Sequence, residues 1–236
     1  MLTYYANPFL IAAAVIPAAV LLIYVYKADR LEHEPMKLLL PLILYGVIST
    51  GFALITERIG GAILPFFAAK NSVKYTAWMC FVVVALSEEG FKYLLLKKKT
   101  WRSPQFNCQF DGVVYAVFVS LGFALWENIG YVLMYGFSTA MVRALTAVPG
   151  HACFGVFMGA WYGVARKYEN AGRSANAKFC RFMAVLIPVL MHGFYDFTAT
   201  MESGDNWWLF CGFVMVMFFT AFLLIRKLSA TDRYIA

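Results

Sequence analysis

The chain has 236 residues, of which 62% are hydrophobic and 14% are charged, against about 25% charged in an ordinary soluble domain. With 22 Phe, 14 Tyr and 6 Trp, there is too little polar side chain to coat a water-facing surface and too much apolar content for a disordered chain, so both are excluded. The formal net charge of +7 points to either nucleic acid or a membrane, and the placement of the basic residues decides between them.

In chain order, residues 1–26 and 38–56 contain no Asp, Glu, Lys or Arg. Each is close to the roughly 20 residues that cross a bilayer as a helix. Residues 75–96 and 112–135 have the same length but carry ionisable side chains in their interiors. Residues 144–165 are again free of charged side chains, 182–201 are interrupted, and 206–225 are free. Runs such as 38–44 are continuously apolar, whereas a membrane β-barrel alternates at every second residue. The expected fold is all-α: a polytopic membrane helix bundle of about seven transmembrane helices, forming one transmembrane domain over residues 1–236. Residues 60–69, with Pro65, are too short to span and read as a re-entrant or interfacial piece.

Alternating the loops puts fifteen of the 20 Lys and Arg on one side and four (Arg58, Lys70, Lys74, Arg143) on the other, with Lys92 inside a span. By the positive-inside rule the N-terminus is outside and the C-terminus cytosolic. The charge is thus a topology signal, and no nucleic-acid partner is expected. The first apolar run has no basic segment before it and is expected to stay as an anchor. Cys80, Cys108, Cys153, Cys180 and Cys211 are scattered singly, as packing residues are.

The interrupted spans hold the candidate chemistry, because a charge at mid-membrane costs about 2.5 kcal/mol or more. Glu88 and Lys92 stack one helical turn apart, with Glu89 about 100° round from Glu88, so one ammonium faces two carboxylates. Glu127 follows Phe123 by one turn, with Asn128 beside it. His192 and Asp196 are spaced so that the carboxylate can fix the imidazole tautomer and present the other nitrogen. His151 stands alone in a clean span, where a satisfied core histidine is the simpler reading. The four carboxylates and one Lys sum to −3, which requires shared protons, charged histidines, a divalent cation or water.

The ordered set Glu88-Glu89-x-x-Lys92, Phe123-x-x-x-Glu127-Asn128 and His192-x-x-x-Asp196 resembles the PrsW family of intramembrane proteases. That family is distantly related to the CAAX prenyl endopeptidases, whose motifs read EExxR, FxxxH and HxxxN. Asp111 to Tyr115, and Arg143, Pro149, His151 and Ala152, are also similar to it. The resemblance implies a cell-membrane, multi-pass protease with its catalytic core at about 75–201. It implies peptide-bond hydrolysis in a membrane-anchored protein embedded in the lipid bilayer, such as an anti-sigma factor cleaved at an extracytoplasmic site. On this reading Glu88 activates water, Glu89 and Lys92 set its basicity, Glu127 holds the water, and His192 with Asp196 serves the oxyanion or leaving amine, with Asn128 as a further donor. Glu127, His151 and His192 would equally make a zinc ligand set, so glutamic-peptidase and metalloprotease forms both stay open. CAAX-type prenyl-protein processing is the enzyme alternative. A proton-coupled membrane transporter is the alternative outside enzymes.

Overall fold

A computed structural model describes residues 8–201 and 207–235. Helix α1 is Pro8–Ala28 and α2 is Met36–Ile63, which continues into one 3-10 turn, Leu64–Phe66. Next come α3 (Val73–Trp78), a π-helical stretch Met79–Ala85 and α4 (Leu86–Thr100), then α5 (Asp111–Tyr135), the short α6 (Phe137–Leu145), α7 (Ala147–Asn170), α8 (Ser174–Thr200) and α9 (Trp207–Ala230). Among the described residues the only β pairing is an isolated bridge between Cys108 and Tyr234.

Among the described residues, six helical stretches are long and apolar enough to cross a membrane: Pro8–Ala28, Met36–Phe66, Asp111–Tyr135, Phe137–Asn170, Ser174–Thr200 and Trp207–Ala230. The seventh expected span, 75–96, is the composite of α3, the π stretch and α4, helical without a break over 73–100. Its charged residues separate it from the other six. The expected re-entrant piece at 60–69 is instead the end of α2 and its 3-10 turn. The apolar period of α2 simply continues past residue 56.

Helix α5 is the axis of the bundle. Every residue from Asp111 to Ala124 is buried, as expected for a helix apolar on all sides. It packs against α7, α2 and α1. By contrast α1 and α9 expose large apolar side chains, including Phe9, Ile16, Met215 and Phe219, the surface that a lipid-facing helix presents.

Two glycine contacts set how closely the central helices approach. A Cβ on Gly112 of α5 would lie 2.7 Å from the Gly159 carbonyl oxygen of α7, and one on Gly46 of α2 would lie 2.6 Å from the Phe123 backbone nitrogen of α5. Without side chains at these points the backbones touch, which is how membrane helices pack when there is no water to expel. The contacts bring residue 123 and its successors on α5 beside α2 and the first turns of α7.

At the far end of α5, Asp29 and Glu34 from the α1–α2 loop are buried. Burial, and then the neighbouring Asp232, push Asp29 up to about 7. Burial likewise pushes Glu34 up to about 7, with Asp29 adding to the rise.

Candidate active site

The first residues of α4 supply Glu88, Glu89 and Lys92, exposed by 6%, 0% and 0%. The Lys92 ammonium donates to Glu89 Oε1 at 2.7 Å and to Glu88 Oε2 at 3.4 Å. The tighter partner is therefore Glu89, and Glu88 is the carboxylate left more free. Lys92 Nζ is also 3.0 Å from His151 Nδ1 and 4.0 Å from the centre of the Phe123 ring. An ammonium only donates, so His151 accepts at Nδ1 and carries its proton on Nε2. That Nε2 lies 3.0 Å from Glu127 Oε2 and donates to it.

Glu127 Oε2 takes a second bond, 2.8 Å, from the Arg143 guanidinium of α6. Arg143 Nε donates to Asn128 Oδ1 at 3.0 Å, and its charge lies 4.1 Å over the Tyr131 ring. On α8, His192 Nδ1 is 3.0 Å from Glu89 Oε1 and 3.9 Å from Glu88 Oε2, while Nε2 is 3.4 Å from Asp196 Oδ2. Carboxylates thus bracket His192 at both nitrogens. The nitrogen expected to be presented to a reacting atom is occupied by Glu89.

Local structure explains these positions. The π stretch Met79–Ala85 immediately precedes α4, and π turns recur where a helix must re-aim side chains at a site. Its Phe81 fills the space beside Gly193, where a Cβ would lie 2.6 Å from the Phe81 Cγ. This seats α8 on the π stretch at the residue next to His192. Phe154 stacks on the His192 ring at 4.7 Å.

A cavity of about 390 Å³, roomy enough for several waters, opens on the cluster. Glu88, Glu127, His151, His192 and Asp196 line it, together with Glu57, Arg143, Tyr131 and Tyr195 and an apolar wall that includes Met79, Val84 and Phe154. Glu89 and Lys92 lie behind Glu88. Asn128 is fully buried and outside the cavity lining. Its amide donates one N–H to the Ala14 carbonyl of α1 and its carbonyl accepts from Arg143, so the side chain is held between α1 and Arg143, away from the cavity.

Glu57 is absent from the motif reading, and Arg143 enters it only as similar to the family, without a role. Glu57 reads as an outer-loop residue in the sequence, yet Thr50, Leu54 and Glu57 share one face of the extended α2 and line the cavity. The signal was the helical period running on past Thr56. Arg143 reads as an outer-side charge that is also similar to the family, but neither its spacing nor the resemblance tied it to Glu127. With both included, five carboxylates, one Lys and one Arg still sum to −3 with neutral imidazoles.

One ligand atom each from Glu88, Glu89, His151 and His192 lies within 4.8 Å of the others. Glu89 Oε2 is buried without a hydrogen-bond partner. Two imidazoles with carboxylates are the donor set of a hydrolytic zinc, so these residues fit such an ion. The grouping differs from the expected Glu127, His151 and His192, because Glu127 Oε2 is shared between Arg143 and His151 while His192 turns to Glu89.

Buried ionisable groups at this density, gathered on a cavity among membrane-length helices, define a polytopic membrane protein with an enzyme-like centre. The sequence model described as PrsW family intramembrane metalloprotease matches residues 34–225, and the chain belongs to the PrsW family. It is 32% identical over 225 residues to Protease PrsW of Geobacillus kaustophilus, covering 95% of this chain and 93% of the relative. It is 33% identical to Protease PrsW of Bacillus subtilis, covering 84% and 85%, and 31% identical to that of Clostridioides difficile, covering 80% and 78%. No solved structure matches the chain. The protein is thus a multi-pass membrane protein of a protease family.

Proposed function

We propose that the chain hydrolyses a peptide bond in a membrane-anchored protein, an anti-sigma factor being the expected kind of substrate, with Glu88 as the general base. The observation that supports this best is the position of Glu88. It is a buried carboxylate on the cavity wall, less tightly paired with Lys92 than Glu89 is and 3.9 Å from His192. Water held between Glu88 and Glu127 attacks the carbonyl carbon and passes its proton to Glu88. Lys92 and Glu89 keep the local charge balanced while this proton moves. His192 is held by Glu89 at Nδ1 and more loosely by Asp196 at Nε2; on release from Asp196 its Nε2–H donates to the developing oxyanion or to the leaving amine. Arg143 positions Glu127 from the cavity wall, and Asn128 holds Arg143 from behind it.

The cavity is built from the C-terminal halves of α2, α5 and α8 and the first turns of α7. That is the end of the bundle bearing Arg58, Lys70, Lys74 and Arg143, the sparsely basic side. The positive-inside rule makes it the outer face, which suits cleavage outside the cytosol.

A metal-dependent form of the same hydrolysis is favoured by one observation, the orphaned Glu89 Oε2 among four potential ligands. Zinc held there by Glu88, Glu89, His151 and His192 would acidify a water and polarise the scissile carbonyl.

The test is cleavage of a membrane-anchored substrate in proteoliposomes. Glu88→Gln is expected to lower the rate by about 10² to 10⁴ fold; an unchanged rate overturns the assignment of the base. Metal analysis decides between the two forms. One zinc per chain, with activity lost in chelator and restored by zinc, selects the metal form. Full activity in metal-free protein selects the carboxylate form.

A further inference from the structure

The other end of the bundle carries a second acidic group that hydrolysis does not use. Asp111 opens α5, sixteen residues before Glu127 and so about 24 Å away along the helix. The loop between α1 and α2 brings Asp29 and Glu34 to it. The segment after α9 brings Asp232, and is tied back by the bridge of Tyr234 to Cys108 and by the Ile235 amide donating to the Asn107 carbonyl at 2.7 Å.

Two independent observations mark the cluster as built for a ligand. The first is convergence: Cys108 Sγ and one carboxylate oxygen each from Asp111 and Asp232 lie within 4.8 Å of one another. The second is a set of buried oxygens with no partner. Asp29, Glu34 and Asp111 are 0%, 3% and 1% exposed. Both oxygens of Asp29, and one each of Glu34, Asp111 and Asp232, make no well-formed hydrogen bond, although the Glu34 backbone N–H lies close to Asp29.

The remaining oxygens are firmly held. Asp111 Oδ2 accepts the Asn107 and Cys108 amides at 3.0 and 2.7 Å, and Asp232 Oδ1 accepts the Phe110 amide at 2.9 Å. The two carboxylates are therefore fixed by one oxygen and free at the other. Among the described residues, no Lys, Arg or His forms an ion pair with Asp29, Glu34, Asp111 or Asp232. A buried carboxylate without a counter-ion is unfavourable, and four of them gathered here are neutralised either by taking up protons or by a bound cation.

We propose that this cluster binds a hard divalent cation of the calcium type, with Asp111 and Asp232 as its fixed ligands and Asp29 and Glu34 adding negative charge beside them. All five unpartnered atoms are oxygens, the donors such an ion takes six to eight of at a time. Cys108 offers a single sulfur and is secondary. Asp232 is only half-buried, which gives the ion and its remaining waters a way in. A bound cation joins the α1–α2 loop, the start of α5 and the segment after α9 at one point. The site stands whether or not the chain is a protease.

The test uses the full chain in detergent after treatment with chelator, with calcium, magnesium and zinc added separately. Bound metal per chain and the unfolding temperature are measured. Calcium is expected to bind at one ion per chain outside the catalytic cavity and to raise the unfolding temperature by several degrees. Asp111→Asn with Asp232→Asn is expected to weaken binding at least about tenfold and abolish the shift, while Glu89→Gln leaves both intact. If the double variant does not fold, Asp29→Asn alone serves. It is expected to be at least as stable as the native chain in chelator, having lost an unpaired buried charge, and to respond less to calcium. The proposal is overturned by no calcium binding, by an Asp29→Asn response equal to that of the native chain, or by binding of zinc alone that Cys108→Ser removes.

Discussion

Replacing Lys92 by Met isolates the most consequential charge in the site. The ammonium is fully buried and reaches Glu89 at 2.7 Å, His151 at 3.0 Å and Glu88 at 3.4 Å. Its removal strands Glu89, fully buried behind the cavity wall, and leaves Glu88 on that wall without its cation. Breaking a buried pair by deleting one partner costs about 3 to 5 kcal/mol. At about 2 to 4 °C per kcal/mol for a chain of this size, the unfolding temperature should fall by roughly 6 to 20 °C. Lys92→Arg keeps the charge but must fit a longer side chain into a filled slot, at about 1 to 3 kcal/mol. Adding Glu89→Gln to Lys92→Met removes the stranded partner and should recover at least about 1 kcal/mol, the coupling of residues in one network. Thermal unfolding of the purified chain in detergent, followed by tryptophan fluorescence in metal-free buffer, reads all three. A Lys92→Met protein within about 1 kcal/mol of the native one, or a double variant no better than the single, refutes the reasoning.

Arg143→Ala removes the bonds to Glu127 and Asn128 and should cost about 1.5 to 3 kcal/mol for the charged bond alone; Arg143→Lys restores charge but not both bonds, so its unfolding temperature should fall between the two. Glu57→Gln neutralises a carboxylate whose Oε1 is buried without a partner and should stabilise the chain by about 0.5 to 1.5 kcal/mol; a destabilised variant argues for a counter-charge at Glu57. Gly159→Ala places a methyl against the Gly112 and Val113 backbone and should cost about 2 kcal/mol or more in the same assay. In chelator, stability should also fall with rising pH. Asp29 and Glu34 titrate near 7 in the folded chain, above their ordinary 3.8 and 4.5. The folded form therefore binds the extra protons, and the stabilisation is complete below about 4 and lost as pH rises through about 7. Unfolding temperatures across pH 4 to 8 check the sign.

The bundle was legible because length and hydropathy alone demand spans at residues such as 38–56 and 206–225. The residues breaking the runs were legible for the converse reason, since a bilayer penalises Glu88, Glu127 and Asp196 wherever they sit in a helix. The partner of each group was harder to read. Spacing put Lys92 on the face of Glu88, yet the closer bond goes to Glu89, because i, i+3 and i, i+4 neighbours are equally in reach and packing from α7 and α8 decides. His151 looked like a core histidine since its partners, Lys92 and Glu127, are 59 and 24 residues away. Glu57 and Arg143 were assigned to loops by their charge, although both belong to helices, α2 and the short α6.

The separations along the chain also impose an order in which the site can come into being during synthesis. Glu127 meets Arg143 and His151 within 16 and 24 residues, so that half closes soon after α5 leaves the ribosome. Glu89 waits 103 residues for His192. A nascent chain that has not yet delivered α8 holds Glu88, Glu89 and Lys92 with one wall of their pocket missing. On the proposed role of His192, the centre is therefore complete only once α8 has arrived, after every other acidic or basic residue that lines the cavity except Asp196 is in place.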